Sequence, residues 1–550
     1  MPILASGPRN AKIAFVGMAP ASEEMRTGIP FMGPAGQILN KSLAKLGLSR
    51  EQVYVTNIHD SFLAPGASLF SLPSGTLQSS LARLKRELEE VRPNTVVPLG
   101  DEPLHFLCNL RGIQKWRGSI LSSSMVPGLK CVPTVHPAWI TRGMWKWEPV
   151  FTHVDLKRAI DESLTPKIIL PQRNAITGPS FNTVLDYMGE CSKHEILSVD
   201  IEVYGYTATG TGEIACIGIG FRPDEALCIP LVRSGGVPYW GVLEEARIWR
   251  ALSKLLQSKE IKKVGQNLAF EWIYFWLHHI FPANMWIDTM LLHHTLYPDF
   301  GGTEDVWGRK SKKDEPGHSL AFINSQCTRT PYYKDDGRRW NPSLGDHLFW
   351  RYNCYDVMCT LDCAYYLKQE AEEESLWDFY VEYQQKPFVH TARMEWYGVA
   401  IDMEKRARAG LELASTATEL QDRINQKLGY ELNVNSPKQM YHLLYEVQGH
   451  KIQKNRKTKR PTADKHALAH FAQKTGDDVL VWIQELRAAM DLKADIIDQK
   501  LGEDGRMHTH YKQGGTDTNR WSSVKSILGT GTNLQNIPSK GIARELFIPE

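Results

Sequence analysis

The chain has 550 residues, of which 42% are hydrophobic and 23% charged, a composition typical of globular proteins. This length exceeds what a single hydrophobic core supports, so three or four domains are expected. A net charge of +2 excludes a strong positive field over the whole molecule, so any contact with nucleic acid must come from local basic patches.

Cysteine use and hydropathy narrow the class of protein further. The nine cysteines form no C-x-x-C pair, which argues against a disulfide framework or a zinc ribbon and fits a reducing cytoplasm. The first residues lack a signal-type apolar run, and no stretch of 18 apolar residues occurs. We therefore predict a cytoplasmic location without membrane association.

The first block of the chain alternates predicted strands and helices. Apolar strands are predicted at residues 12–16, 53–56, 95–99 and 130–135, and a helix near residues 36–46 follows a Gly/Pro-rich loop. Alternation of this kind favours a parallel sheet in an α/β sandwich.

Short motifs in this block resemble those of family 4-type uracil-DNA glycosylases. They lie at residues 17–36, 53–57 and 135–137. The resemblance implies that Phe31 stacks on a flipped base, Asn57 reads its edge and His136 stabilises charge on the departing base.

Two departures from that family predict a degenerate base pocket. Met18 stands where the family has an acid, and a methionine cannot polarise water. Glu23 and Glu24 are nearby acids that would have to replace it. Residues 59–62 stand where a cluster-ligating cysteine is expected, so we expect no iron–sulfur cluster. The pocket Met18, Phe31, Asn57 and His136 would then serve DNA binding or protein docking. The alternative is a repair glycosylase.

The second block follows a stretch with three prolines, residues 164–179, which we interpret as a linker. Runs rich in β-formers at 196–202, 214–221 and 227–231 are separated by turns and predict an antiparallel meander. A helix at 243–258, a strand at 262–265, a helix at 268–279 and a further helix ending near residue 366 are predicted next.

Acidic residues on this block indicate a metal site. Asp200 and Glu202 lie at i and i+2 on an apolar strand, so their side chains point to one face. Glu271 opens a helix after the strand at 262–265, and Tyr352 and Asp356 share one helix face at i and i+4. Taken alone, the first pair also fits a solvated edge strand. Two acids on a packed face are costly unless a cation binds them.

These motifs together resemble the three exonuclease motifs of proofreading 3′→5′ exonucleases with the RNase H-like fold, and residues 287–291 match an intervening motif of family A polymerases. The resemblance implies that Asp200, Glu202, Glu271 and Asp356 hold two Mg²⁺ or Mn²⁺ ions and that Tyr352 orients the attacking water. The family usually has Asp where this chain has Glu271, which would shift that carboxylate by about 1 Å. Asn267 is expected to cap the helix that bears Glu271.

The third block, residues 375–513, is predicted to be mostly helical. Its segment 435–439, NSPKQ, resembles the thumb of family A polymerases, with Ser436 as a helix cap. Six of the ten residues 451–460 are basic, which fits either a solvated surface or a grip on duplex phosphates. We favour DNA contact through Lys454, Arg456, Lys457, Lys459 and Arg460.

The last residues, 518–550, resemble the start of the family A polymerase palm. The resemblance implies that Arg520, Gln535 and Asn536 touch primer–template. The strand bearing the first metal-binding aspartate of that palm would follow Pro549 and Glu550. We therefore expect no polymerisation from this chain alone, and expect palm and fingers from a second polypeptide or a longer product.

The prediction as a whole is an α/β multidomain protein resembling certain large bacteriophage polymerases, which would place it in a host cytoplasm. The predicted domains are a uracil-DNA glycosylase-like α/β/α sandwich (1–162), a linker (163–180), an RNase H-like 3′→5′ exonuclease fold (181–374), a mainly helical polymerase thumb (375–515) and the start of a palm (516–550). The predicted activity is proofreading exonuclease on single-stranded 3′ ends, with primer–template binding. The alternatives are a uracil-DNA glycosylase-type repair enzyme and an inactive DNA-binding scaffold.

Overall fold

The computed structural model describes residues 2–64, 66–204, 212–300, 316–338, 345–455, 459–516 and 518–549. The chain forms two compact units. The first comprises the described residues up to His390 together with Gln513–Trp521, and the second comprises Thr391–Lys512 and the residues from Ser522 onward. No helix in the described ranges is long and apolar enough to cross a membrane.

The N-terminal part of the first unit is built on a five-stranded sheet. Its strands are β1 (Ile13–Gly17), β2 (Tyr54–Asn57), β3 (Thr95–Pro98), β4 (Leu121–Ser122) and β5 (Lys130–Cys131). Their order is β2-β1-β3-β5-β4, and all neighbours are parallel except β4 and β5. Strands β1, β2 and β3 are buried throughout, because helices cover both faces of a parallel sheet. The predicted parallel α/β sheet is confirmed.

Helices of varied length pack around this sheet. They are α1 (Ser22–Thr27), α2 (Pro34–Lys45), α3 (Ser74–Val91), α4 (Asp101–Cys108), α5 (Ile113–Trp116), α6 (Ala138–Thr141), α7 (Trp147–Pro149) and α8 (Lys157–Glu162), with a π-helical stretch, Val150–Leu156, between the last two. Helix α1 ends at Thr27 and is capped by Gly28, whose φ of 72° is left-handed. Pro34 begins α2, a position where a missing N–H costs nothing.

A six-stranded mixed sheet forms the rest of the first unit. Its strands are β6 (Asn174–Ile176), β7 (Ile196–Tyr204), β8 (Glu213–Arg222), β9 (Glu225–Pro230), β12 (Lys262–Gly265) and β13 (Met285–Asp288), and a small hairpin adds β10 (Val232–Arg233) and β11 (Val237–Pro238). The order is β13-β12-β7-β8-β9-β6. Strands β7, β8 and β9 run antiparallel, which confirms the predicted meander. Strand β6 lies within the stretch interpreted as a linker, while the proposed domain boundaries stay a prediction.

Helices pack on this second sheet and carry part of the site. They are α9 (Phe181–Cys191), α10 (Val242–Gln257), α11 (Ala269–Leu277), α12 (Thr289–Leu296), α13 (Leu320–Cys327), α14 (Asp335–Arg338) and α15 (His347–Glu373). The long helix α15 buries Cys354, Val357 and Met358 against Cys216 and Cys228 of the sheet. The centre of the site therefore forms where α15 crosses β7 and β8.

The remaining elements are mostly helical, as predicted. The helices are α16 (Trp377–Tyr380), α17 (Lys386–Tyr397), α18 (Met403–Leu428), α19 (Pro437–Tyr441), α20 (Lys465–Thr475) and α21 (Asp478–Leu492), and the short strands are β14 (Ala400–Ile401), β15 (His510–Lys512), β16 (Ser522–Val524) and β17 (Phe547–Ile548). Leu480, Ile483 and Leu486 of α21 are buried in a core with Leu420 and Ile424 of α18. The Ser436 side chain accepts a hydrogen bond from the Gln439 amide at the start of α19, so the predicted cap is confirmed.

Candidate active site

Strand β7 presents two of the predicted acids from the middle of the second sheet. Asp200 lies opposite Gly218 of β8, and Glu202 lies opposite Cys216. A side chain at Gly218 would collide with α15, because a Cβ atom there would lie 2.5 Å from Asn353 Oδ1. The glycine therefore lets α15 approach the strand closely.

Helix α15 completes a compact group of carboxylates. Asp200, Glu202 and Asp356 each offer a carboxylate oxygen, and these oxygens lie within 4.8 Å of one another. Asp356 is almost fully buried. The two acids of one strand and the acid of a distant helix thus meet at one point, as the resemblance to the exonuclease motifs implies.

Glu271 lies beside this group on the first turn of α11. It is only 4% exposed, and its Oε2 atom has no hydrogen-bond partner among the described residues. Burial raises the pKa of Glu271, and the nearby carboxylates of Asp200, Asp288 and Glu202 add to the effect. Glu271 is outside the group with mutual distances under 4.8 Å, but its charge interacts with that group.

Asp288, at the end of β13, stabilises the turn that precedes α11 and so positions Glu271. Its carboxylate accepts hydrogen bonds from the Asn267 and Leu268 amides, at 3.0 and 2.7 Å, and from the amides of Met290 and Leu291. The prediction that Asn267 caps α11 is wrong. Asn267 has φ of 61°, Leu268 precedes the helix without a side-chain cap, and Asp288 satisfies the amides instead.

The electrostatics of the acids favour a bound cation. Burial raises the pKa of Asp200 to about 8, and the Asp356 charge adds to this rise. Burial likewise raises the pKa of Glu202, with Asp200 and Asp356 contributing. Carboxylate oxygens are the donors that hard divalent cations prefer, and a cation relieves the mutual repulsion of buried acids. The residues present therefore fit divalent metal ions.

Three further residues of the site had no role assigned from sequence. Asn353 donates from Nδ2 to Asp200 Oδ2 at 2.8 Å, and Tyr333 donates from its hydroxyl to Asp356 Oδ1 at 2.7 Å. Lys334 forms an ion pair with Asp356 and donates to the Tyr352 hydroxyl oxygen at 2.9 Å. Asn353 directly follows Tyr352 in the third exonuclease-like motif, and this position was a sequence signal that could have indicated its role. Tyr333 and Lys334 belong to a stretch without periodic pattern and carried none.

The predicted base-pocket residues of the N-terminal sheet also come together. A Cβ atom at Gly17 would lie 2.4 Å from Asn57 Oδ1 and 2.6 Å from the tip of the Phe31 ring. The rings of Phe31 and His136 have centroids 5.9 Å apart. Burial lowers the pKa of His136 to about 4, and the Arg142 charge contributes. Met18 directly follows Gly17 on this edge.

The two acids near Met18 are engaged elsewhere. Glu24 is buried and accepts hydrogen bonds from the amides of Ala21 and Gly33, both at 2.9 Å. Glu23 pairs with Arg26 at 2.6 Å on the surface. Both carboxylates therefore serve the local loop and helix rather than a water in the pocket.

The predicted DNA contacts lie on exposed segments where they are described. Lys454, Lys459 and Arg460 are exposed on a loop closed by a hydrogen bond from the Asn455 amide to the Arg460 carbonyl. Arg456 and Lys457 lie outside the described residues. Arg520, Gln535 and Asn536 are exposed, the last two on a 3-10 turn, Leu534–Asn536.

Three family models match successive parts of the chain. They are the uracil DNA glycosylase superfamily at residues 4–155, the 3′-5′ exonuclease at residues 182–371 and DNA polymerase family A at residues 403–550. Known members of the two latter families generally use divalent metals, in keeping with the acidic group described above.

Individual relatives agree with the family models. A DNA polymerase of Bacillus phage SP01 is 22% identical over 99% of this chain and 65% of its own length. DNA polymerase I of Synechocystis is 27% identical over 60% of this chain and 32% of its own length. A type-4 uracil-DNA glycosylase of Thermotoga maritima is 31% identical over 26% of this chain and 71% of its own length. The chain thus spans less than two thirds of either polymerase.

One solved structure, the POL domain of Pol1 from M. smegmatis in complex with DNA primer-template and dNTP, matches with a TM-score of 0.49 and 20% identity, over 68% of this chain and 58% of that one. The family matches follow the order of the two sheets and the helical part that succeeds them. The predicted α/β multidomain fold class is confirmed. The chain thus joins an N-terminal domain of the uracil-DNA glycosylase superfamily to a 3′-5′ exonuclease domain and a region of DNA polymerase family A.

Proposed function

We propose that the chain hydrolyses nucleotides from the 3′ end of DNA, with Asp200, Glu202, Glu271 and Asp356 as ligands of two Mg²⁺ or Mn²⁺ ions. The observation that carries this proposal is the meeting of three carboxylates from β7 and α15 within 4.8 Å of one another. When bound, the two ions would supply a water of lowered pKa and offset charge on the leaving 3′ oxygen.

The side chains of the protein prepare this site. Asn353 holds Asp200 in one orientation by its hydrogen bond to Oδ2. Asp288 fixes the turn before α11 and so sets the position of Glu271. Tyr352, next to Asp356 on α15, would orient the water that attacks the phosphate. Tyr352 accepts a hydrogen bond from Lys334, and Asp288 accepts hydrogen bonds from four backbone amides, which supports a preorganised site.

A pair of end-labelled oligonucleotides tests the proposal. With Mg²⁺, a 5′-labelled single strand should give a ladder of shortened products, and a 3′-labelled strand should release labelled mononucleotide. EDTA should stop both reactions. Asp200→Ala should lower the rate by about 100-fold or more, because loss of one electrostatic group at a site of developing charge costs about 10²–10³.

Asp186→Ala is the matched control, because Asp186 is exposed on α9 and belongs to the same fold. It should keep the wild-type rate. Hydrolysis that persists in EDTA, or in the Asp200→Ala protein, would show that the acidic group is not the site of reaction.

We also propose that Lys454, Arg456, Lys457, Lys459, Arg460, Arg520, Gln535 and Asn536 bind primer–template. Nucleotidyl transfer requires carboxylates that hold metal ions at the primer end. Among the described residues, the one group of three acids placed to hold a metal ion is that of Asp200, Glu202 and Asp356. We therefore propose that a second polypeptide or a longer product supplies the carboxylates for nucleotidyl transfer, in the cytoplasm of a host cell. Primer extension by these 550 residues alone would contradict this part of the proposal.

We propose that the N-terminal pocket serves DNA binding or protein docking and does not remove a base. Met18 offers no group that polarises water, and the carboxylates of Glu23 and Glu24 have other partners. Release of free uracil from a uracil-containing oligonucleotide would contradict this proposal.

A further inference from the structure

One segment of the described chain contacts both the N-terminal sheet domain and the exonuclease site. This bridging segment comprises residues 325–335, from the end of α13 to the start of α14. The N-terminal domain contacts it through Arg117 to Ser325, Arg158 to the Gln326 carbonyl, Glu162 to Arg329, Ser119 to the Tyr332 amide and Lys115 to Asp335. The contacts follow the segment from one end to the other, so the N-terminal domain fixes its path.

The anchors at one end of the bridging segment are well buried. Arg117 is 1% exposed, and its guanidinium pairs with Asp155, which is also fully buried. The same guanidinium donates from Nη1 to Ser325 Oγ at 2.7 Å. A buried, hydrogen-bonded ion pair is geometrically exacting, so this end of the segment is held firmly.

The other end of the segment enters the acidic site. Tyr333 and Lys334 are adjacent residues, and they contact the two oxygens of Asp356 separately. Lys334 also donates to the Tyr352 hydroxyl oxygen at 2.9 Å. The segment thus contacts one proposed metal ligand and the residue proposed to orient water.

The contact between Lys334 and Tyr352 restricts the tyrosine hydroxyl. An ammonium group has donors and no acceptor, so the Tyr352 oxygen accepts from Lys334 and its hydrogen must point elsewhere. A hydroxyl hydrogen otherwise rotates to suit its neighbours. Lys334 therefore selects the direction in which Tyr352 donates, and it holds Asp356 at the same time.

We propose that Lys334 is a positioning residue for hydrolysis at the 3′ end, acting through Tyr352 and Asp356, and that the N-terminal domain holds Lys334 in place through the bridging segment. This inference rests on the proposed exonuclease function. It gives the glycosylase-like domain a part in the exonuclease reaction that needs no base chemistry in its own pocket.

A double-mutant cycle between Lys334 and Tyr352 tests whether Lys334 acts as a positioning residue. Lys334→Met should lower kcat on single-stranded DNA by about 10- to 100-fold, the usual cost of losing a group that orients a reacting one, with KM changed by less than about 3-fold. Tyr352→Phe should cause a similar loss. The double variant should be no more than about 3-fold slower than the slower single variant, because both substitutions remove one arrangement.

A titration of Mn²⁺ makes this test specific. The loss in Lys334→Met should persist at saturating Mn²⁺. Full recovery at high Mn²⁺, or additive losses in the double variant, would overturn the positioning role. Lys368→Met is the control, since Lys368 lies on α15 in a surface pair with Glu372, and it should keep the wild-type rate.

Variants of the N-terminal domain test the proposal that this domain holds Lys334 in place. The Trp116 ring packs edge-on against Tyr332 of the bridging segment, with centroids 5.3 Å apart. Trp116→Ala should lower kcat several-fold, and this loss should vanish in the Lys334→Met background. Trp145→Ala removes a tryptophan that is 64% exposed on the same domain, and its kcat should match the wild type.

Circular dichroism shows whether the Trp116→Ala protein is folded. If Trp116→Ala unfolds the domain, Lys115→Met removes the ion pair with Asp335 and the ammonium over the Tyr332 ring, and it should give a smaller loss in kcat. Unchanged kcat in a folded Trp116→Ala protein, or in Lys115→Met where that variant stands in, would overturn the anchoring role. Activity lost in Asp200→Ala but kept in Lys334→Met would refute this inference alone, whereas activity kept in Asp200→Ala would refute the proposed function.

Discussion

At the residue scale, the site consists of buried carboxylates and a few groups that partly neutralise their charge. Asp200, Glu202 and Asp356 lie together, and Glu271 is close enough to interact with them. Lys334 and the amide of Asn353 offset part of this charge. Because β7, α11, α15 and the segment that bears Lys334 all contribute to this group, the site needs the folded sheet and helices to exist at all.

The raised pKa of Asp200 predicts how stability depends on pH. An aspartate in an unfolded chain titrates near pH 4, whereas burial raises the pKa of Asp200 to about 8 in the fold. Between these values the folded chain binds more protons than the unfolded chain, so the free energy of unfolding decreases as pH rises. Glu202 and Glu271 act in the same direction.

We therefore expect metal-free protein to lose thermal stability between about pH 5 and pH 8, and Asp200→Asn to lose less. The difference between the two proteins should grow by at least about 1 kcal/mol over this range, roughly the equivalent of one pKa unit. Differential scanning calorimetry in EDTA measures it. The effect of His136, whose pKa is lowered, cancels in the difference.

Mg²⁺ should reduce the loss in the wild type, since a cation stabilises the charged carboxylates. Asp186→Asn, at an exposed position on α9, should follow the wild-type curve. Parallel curves for the wild type and Asp200→Asn in EDTA would mean that Asp200 is ionised in the fold at neutral pH.

The same residues show what sequence can and cannot predict about a site. The pairs Asp200 with Glu202 and Tyr352 with Asp356 were predictable, because strand and helix periods place each pair on one face. Lys334 was not predictable, since its contact depends on the path of an irregular segment. Asn267 was misjudged because the cap for its amide comes from Asp288, 21 residues later.

At the element scale, the site depends on how closely α15 approaches β8. Gly218 and Gly220 both face this helix, and Cβ atoms at these positions would lie 2.7 and 3.0 Å from the Val357 side chain. Small residues at a crossing point let a helix come near a sheet. The longer central strands were predicted from their apolar runs, but the edge strands β4, β6 and β13 were not. The close approach of α15 follows only from the packed structure.

Gly218→Ala is expected to push α15 away from β7 and so separate Asp356 from Asp200. Exonuclease kcat should fall by about 10-fold or more, because misplacement by about 1 Å can cost 10²-fold. Overpacking should also cost about 1–3 kcal/mol of stability. Single-turnover hydrolysis and thermal unfolding measure the two effects.

Gly189→Ala is the matched control for that substitution. Gly189 is exposed on α9, and nothing lies within 4 Å of a Cβ atom built there. Alanine in a helix should leave kcat unchanged and raise stability by up to about 1 kcal/mol. Equal kcat for the Gly218→Ala and Gly189→Ala proteins would mean that the helix adjusts without moving Asp356.

At the scale of the whole molecule, the net charge of +2 limits how DNA is bound. A molecule with so little excess charge has no strong field of its own to concentrate a polyanion. Affinity for DNA must therefore come from local groups of basic side chains. The loop with exposed Lys454, Lys459 and Arg460 is such a group, and it was visible in the sequence as a run of charge.

Salt dependence separates a local grip from a general charge effect. Each phosphate that a basic residue neutralises adds about 0.9 to the slope of log affinity against log salt. Replacing Lys454, Lys459 and Arg460 by Gln should lower the slope for primer–template duplex by about 2–3 and weaken binding at low salt. Fluorescence anisotropy over a range of KCl concentrations measures both quantities.

A control variant that loses the same number of charges distinguishes a local contact with DNA from an effect of net charge. Replacing Lys85, Arg86 and Lys193 by Gln removes the same three charges from exposed positions on α3 and just after α9. If the basic loop contacts phosphates, the control should keep the wild-type slope, because the slope counts only the charges that neutralise phosphates. Equal slopes for the two triple variants would assign DNA affinity to net charge and remove the loop from the binding surface.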